Sequence, residues 1–184
     1  MSNSFRTTNS TGLINKDKKI NFTFNGTIYH GYEGDTLASA LIANGVHLVG
    51  RSFKYHRPRG FLGVGVEEPN AMVQLHDGNK SEPNIIATEV ELVEGLKAKS
   101  QNCWPSVQFD IGEINNVLNR FFPAGFYYKT FMWPKSFWMK IYEPFIRKAA
   151  GMGKAPLLPD PDRYEHNYEH CDVLVVGSGP SGLA

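Results

Sequence analysis

The residues best suited to chemistry lie in Cys171-Asp-Val-Leu-Val-Val-Gly-Ser-Gly-Pro-Ser-Gly-Leu-Ala184, which holds a Gly-x-Gly-x-x-Gly pattern. In such a loop Gly177 permits the tight strand-to-helix turn, Gly179 lets backbone approach a pyrophosphate, and Gly182 allows close helix–strand packing. The N–H groups and dipole of the following helix then hold negative charge. Gly177, Ser178, Gly179, Pro180, Ser181 and Gly182 are therefore the candidate dinucleotide-binding residues. The pattern alone does not choose between NAD and FAD, because the acidic residue that would contact a ribose is expected about 20 positions further on.

Other reactive side chains are weaker candidates. Arg51, Lys54, Arg57 and Arg59, in Arg51-Ser-Phe-Lys-Tyr-His-Arg-Pro-Arg-Gly60, could bind a phosphate or an acidic partner surface, although a solvated basic loop explains the same charges. His166 and His170 are four apart but sit in a polar connector without helical periodicity, so they are expected to face solvent rather than a metal. Cys103 and Cys171 carry no activating neighbour and are expected to be ordinary thiols. Glu67 and Glu68 are adjacent; in a strand they would diverge, and each is expected to be solvated.

The elements that must position these groups fall into zones. Residues 1–19 are polar and are expected to form a flexible leader without a signal peptide's apolar core. Residues 20–95 read as a small α+β domain. Within it, Ile20 to Phe24 and Thr27 to Tyr32 flank an Asn25-Gly26 hairpin turn. A helix capped by Asp35 or Thr36 buries Leu37, Ala40, Leu41 and Ile42 and ends at Gly45. Further strands are predicted at Ala71 to Leu75 and Thr88 to Val93, with a turn at Asp77-Gly78. Residues 96–170 form a connector in which 11 aromatic residues fall between Phe121 and Phe145, enough apolar area to require a core or a partner. Residues 171–184 begin a doubly wound nucleotide domain. Its strand, Val173 to Val176, needs parallel neighbours, and the chain is expected to be a fragment of a longer protein.

Composition excludes several function classes. The chain has 184 residues, a net charge of +1, 41% hydrophobic and 20% charged residues. That balance disfavours general disorder and nucleic-acid binding. Its two cysteines are too few for a disulfide framework, so a cytoplasmic location is expected. The most apolar stretch is broken by prolines and lysines and is too short in uninterrupted run to span a membrane.

Several strings resemble the N-terminal part of the alpha subunits of heterotetrameric sarcosine oxidases. They are Glu33-Gly-Asp-Thr-Leu-Ala-Ser-Ala-Leu41, Gly50-Arg-Ser-Phe-Lys-Tyr-His-Arg-Pro-Arg-Gly60, Glu67-Glu-Pro-Asn-Ala71, Trp104-Pro-Ser106, Phe122-Pro-Ala-Gly-Phe-Tyr-Tyr-Lys-Thr-Phe-Met-Trp-Pro134 and His170-Cys-Asp-Val-Leu-Val-Val-Gly177. The resemblance implies a ferredoxin-like domain of the β-grasp type, followed by the first strand and glycine loop of a Rossmann-like domain that holds NAD. It further implies beta, gamma and delta subunits, FAD and FMN elsewhere in the complex, and an oxidoreductase acting on a CH–NH donor. The reaction would convert sarcosine to glycine with hydrogen peroxide and, from tetrahydrofolate, 5,10-methylenetetrahydrofolate. No catalytic residue is implied within this chain. A docking module of a related flavin-dependent amine or opine oxidoreductase is the alternative.

A plant-type cluster loop carries Cys-x4-Cys-x2-Cys. Aligning that loop on Gly63-Val-Gly65 places Leu62, Glu67 and Asn70 at the cysteine positions. The resulting expectation is a scaffold domain with no iron–sulfur cluster.

Overall fold

The computed structural model describes residues 5–7, 12–121, 133–149, 153, 155–177 and 179–183. Its centre is a hairpin of β1 (Asn15–Phe24) and β2 (Thr27–Glu33), turned by Asn25 and Gly26 at φ values of 49° and 80°. Both residue types tolerate the positive φ that this turn requires. The ladder starts at Asn15, inside the stretch expected as leader, with a bulge between Asn15 and Lys19. The leader is also tied down at Arg6, which pairs with the buried carboxylate of Asp35. Phe5 donates its N–H to the Ala43 carbonyl at 3.0 Å.

Helix α1 (Leu37–Ala43) follows, capped by Thr36. Thr36 accepts from the Ser39 N–H while Ser39 accepts from the Thr36 N–H, so two donors are satisfied reciprocally. Leu37, Ala38, Ala40, Leu41 and Ala43 are buried, whereas Ile42 is 39% exposed, contrary to the predicted face. The remaining strands are the short pair β3 (Gly50–Arg51) and β4 (Pro58–Arg59), then β5 (Met72–Leu75), β6 (Glu82–Ile86) and β7 (Lys97–Ser100).

The main sheet has the order β2-β1-β7-β5-β6. Only β1 and β7 pair in parallel, so the sheet is mixed, with β7 inserted between the first hairpin and the second. Phe22, Phe24, Val73, Leu75 and Ala98 from its inner face pack with Leu37 and Leu41 of α1. This is an α+β arrangement in which one helix covers one sheet face.

The predicted strand from Thr88 to Val93 is not a strand. Its alternation does signal burial, with Val90 and Leu92 at 8% and 2% exposure. Its hydrogen bonds run to the start of α1: Leu37 N–H donates to the Val90 carbonyl at 2.8 Å, and Ala38 N–H to the Ala87 carbonyl at 3.0 Å. First-turn amides of a helix have no intrahelical acceptor, and this arm supplies them. The strands β6 and β7, absent from the sequence reading, carry Pro83 and the outward lysines Lys97 and Lys99, which masked their sheet character.

Beyond the sheet, 3₁₀ turns and α2 (Ile114–Val117) lead into the connector. A π-helical turn (Trp138–Tyr142) and α3 (Glu143–Ala149) follow. Five of the eleven aromatic residues of the cluster, from Phe122 to Phe131, lie outside the described residues. Among those described, Trp133, Phe137, Trp138 and Phe145 are exposed. Among the described residues, no helix is long and apolar enough to cross a membrane.

The arm makes a specific demand on stability. Replacing Leu92 by Ala should destabilise the protein by about 2–4 kcal/mol. In hydrogen exchange the Leu37 and Ala38 amides should be protected in the wild type and should lose protection in the variant.

Candidate functional site

Two loops beside the sheet and the glycine loop near the C-terminus hold the residues singled out above. The basic loop is not a uniformly solvated one. Arg51 is 7% exposed, and its guanidinium donates to the carbonyls of Val107 at 2.8 Å, His56 at 3.0 Å and Gln108 at 3.1 Å, with Glu113 at 3.1 Å as counter-charge. His56 Nδ1 lies 2.5 Å from the buried Asp110 carboxylate, whose other oxygen accepts the N–H groups of Trp104 and Gly112. Gly112 must be glycine here, since a Cβ would lie 2.2 Å from the His56 ring. Arg51 and His56 thus fasten the loop to segment 104–113 and leave Lys54, Arg57 and Arg59 as its outer cations. Lys54 and Arg57 both lie over the Tyr55 ring, at 5.0 Å and 4.9 Å from its centroid.

In the glycine-rich loop that follows, Glu67 is exposed, as expected, whereas Glu68 is buried. Glu68 is 3% exposed and accepts four backbone N–H groups, from Leu62 at 2.6 Å, Gly63 at 2.5 Å, Asn70 at 2.7 Å and Ala71 at 3.2 Å. Glu67 accepts those of Val64 at 2.8 Å and Gly65 at 3.1 Å. Burial pushes the Glu68 carboxyl up, but the surrounding amides outweigh it and leave it below its ordinary value. The Val64 amide is the main cause holding Glu67 low. Sequence reasoning missed both roles. The available signal was two carboxylates beside Gly63 and Gly65, where small residues let successive N–H groups converge on an anion.

The Cys103 thiol is not activated by its surroundings. Burial pushes the Cys103 thiol up, the nearby Asp110 adds to that, and Arg51 opposes it. Cys171, His166 and His170 are exposed in irregular chain. No group of three or more potential metal ligands occurs among the described residues.

At the C-terminal motif, Val173 to Val176 are 61% to 88% exposed and form no strand among the described residues. Gly177 has φ +115°, and α4 (Pro180–Leu183) begins three residues later. A Cβ on Gly182 would lie 2.2 Å from the Gly177 carbonyl oxygen, a close approach only glycine permits. Gly179 has open space where a Cβ would stand. Ser178 lies outside the described residues.

Residues 17–103 match the family described as 2Fe-2S iron-sulfur cluster binding domain. With the mixed sheet and its covering helix, this makes the domain an α+β, ferredoxin-like one. Over 173 residues and 94% of its length, the chain is 60% identical to sarcosine oxidase subunit alpha of Rhizobium meliloti (strain 1021), of which it spans 18%. It is 31% identical over 174 residues to sarcosine oxidase subunit alpha of Corynebacterium sp. (strain U-96), covering 93% of this chain and 13% of that one. The chain is thus a homologue of sarcosine oxidase alpha subunits and corresponds to a short N-terminal part of those longer proteins, as the motif strings implied. L-proline dehydrogenase from P. horikoshii aligns at 24% identity and a TM-score of 0.36, over 48% of this chain and 16% of that one.

The family match corrects one expectation. The sequence leads to the expectation of no iron–sulfur cluster, whereas residues 17–103 match the family described as 2Fe-2S iron-sulfur cluster binding domain. The side chains of this segment differ from that family's chemistry. A [2Fe–2S] cluster takes four thiolates, Cys103 is the single cysteine of the segment, and the loop amides are already accepted by Glu67 and Glu68. The residues present do not by themselves make a cluster donor set.

The Glu68 cradle has a pH signature. A carboxylate whose folded value is depressed stabilises fully above the unfolded value and loses that contribution as pH falls through the folded one. Glu68→Gln should therefore lower stability above the ordinary value of 4.5, with the difference from wild type shrinking on further acidification. At neutral pH, Glu68→Ala should cost about 2–3 kcal/mol by orphaning buried amides. Denaturant melts across pH measure both.

Proposed function

We propose that this chain is the N-terminal scaffold and the opening of the NAD-binding domain in the alpha subunit of a sarcosine oxidase. The observation that carries this reading is the 60% identity over 94% of the chain. The complex would be a flavin-dependent oxidoreductase acting on a CH–NH donor. It would oxidise the N-methyl group of sarcosine with oxygen, yielding glycine, hydrogen peroxide and 5,10-methylenetetrahydrofolate when tetrahydrofolate takes up the one-carbon unit. Beta, gamma and delta subunits would complete it, with FAD and FMN held outside this segment.

In this reading the present residues bind and position, and none touches the reacting atoms. Gly177, Ser178, Gly179, Pro180, Ser181 and Gly182 would receive the NAD pyrophosphate, with Gly179 giving backbone access and Gly182 keeping the helix against the turn. Two features support this: the steric need for glycine at position 182 and the free space beside Gly179. The ferredoxin-like domain would act as the platform from which the connector leaves.

The test uses the full-length chain co-expressed with its partner subunits. Sarcosine-dependent oxygen uptake with peroxide formation should be present, and NAD should be released on denaturation. Gly179→Val should remove NAD from the purified complex. Full NAD occupancy in that variant would overturn the assignment of the loop, and no sarcosine oxidation by the intact wild-type complex would overturn the assignment of the enzyme.

A further inference from the structure

The two-stranded β3–β4 ribbon presents a cleft that neither the sheet nor the glycine loop uses. It has a volume of about 230 Å³, and Phe53, Arg59, Asn70 and Met72 are among its lining residues. Phe53 and Met72 form apolar walls and are 55% and 42% exposed. Arg59 is exposed and has no hydrogen-bond or ion-pair partner among the described residues, in contrast with Arg51 and Arg57. Its backbone is fixed, because Arg59 pairs with Gly50 across the ribbon and its carbonyl accepts the Val49 N–H at 3.0 Å.

The lining of this cleft includes Arg51 and Arg59 and no carboxylate. The nearby carboxylates are engaged: Glu67 and Glu68 on loop amides, Asp110 on His56, and Glu113 on Arg51. The acids of the descending connector are also engaged, Asp162 by Lys80 and Asp160 by the Tyr164 hydroxyl. Lys54 and Arg57, stacked on Tyr55, add to the positive field on the same loop.

We propose that this cleft is a docking seat for an acidic side chain of another subunit, held by Arg59 and Asn70 between Phe53 and Met72. The proposal rests on the reading of the chain as part of a multi-subunit enzyme. A guanidinium suits a carboxylate through paired N–H donors. The flanking apolar walls match the arginine-plus-hydrophobic make-up of protein interfaces. A cleft of about 230 Å³ is smaller than the roughly 300–1,000 Å³ of pockets that enclose small ligands, which favours the tip of a partner's surface over a free metabolite.

Arg59→Lys and Arg59→Glu in the complete complex test the seat. Arginine does not couple to carboxylates with a carbodiimide, whereas the amine introduced by R59K does. The R59K complex should therefore gain one zero-length cross-link between position 59 and an Asp or Glu of another subunit, absent from wild type. R59E should weaken retention of that subunit by about tenfold at low salt, with the difference closing as salt screens the contact. The seat is overturned by a cross-link to a carboxylate of the same chain, by no new cross-link, or by an unchanged salt profile for R59E. A complex that oxidises sarcosine yet fails these tests removes the seat alone. A wild-type chain that purifies without other subunits removes both readings.

Discussion

A buried guanidinium is tolerable only when its donors are met, and Arg51 meets that condition with three carbonyls and one carboxylate drawn from its own loop and one distant segment. Because the Val107 and Gln108 carbonyls are its acceptors, segment 104–113 must return to the basic loop. Asp110 then reaches His56, which the tight turn holds at a φ of +52°. Remove Arg51 and the remaining contacts no longer have a reason to converge: the Asp110 carboxylate, the Gly112 approach and the departure of α2 all depend on that return.

Glu68 does for N–H groups what Arg51 does for carbonyls. The hydrophobic cluster belongs to the sheet, to α1 and to the arm at Ala87 to Leu92, and it does not reach into residues 62–68. That loop has no apolar side chain buried at its centre, and its glycines carry none, so desolvated backbone must be satisfied by something polar. A carboxylate with four converging donors is a sufficient answer, and its lowered pKa is the electrostatic trace of that role.

What could be read in the sequence follows the range of the interactions. Asn25-Gly26 and the Thr36 cap act within a few residues, so the first hairpin and α1 were legible. Val90 and Leu92 signalled burial correctly, but alternation says nothing about which acceptor or donor the backbone will find, and here it found the first turn of α1 rather than a strand. β6 and β7 were hidden because Pro83 and the lysines reflect one solvated face and a sheet edge, while their pairing is set by distant partners. The roles of Arg51 and Glu68 were invisible for the same reason. Val107 is 56 positions from Arg51, and a local charge pattern cannot distinguish a hub from a solvated loop.

The glycine motif sits at the opposite end of that scale. The contact that forces glycine at position 182 is with Gly177, five residues away, so the turn can form from its own backbone. Binding asks for more than the turn. Convergent N–H groups stabilise a pyrophosphate when the strand before them and the helix after them are held rigid, and a strand buried on both faces gets that rigidity from neighbours on each side. Val173 to Val176 present apolar side chains on both faces to solvent among the described residues, and α4 has one turn. In the proposed reading the turn is therefore encoded locally, whereas pyrophosphate binding would depend on a sheet and helices packed around those four aliphatic residues. The ferredoxin-like domain cannot substitute for them, because its own apolar face is already consumed by α1 and the Ala87 to Leu92 arm.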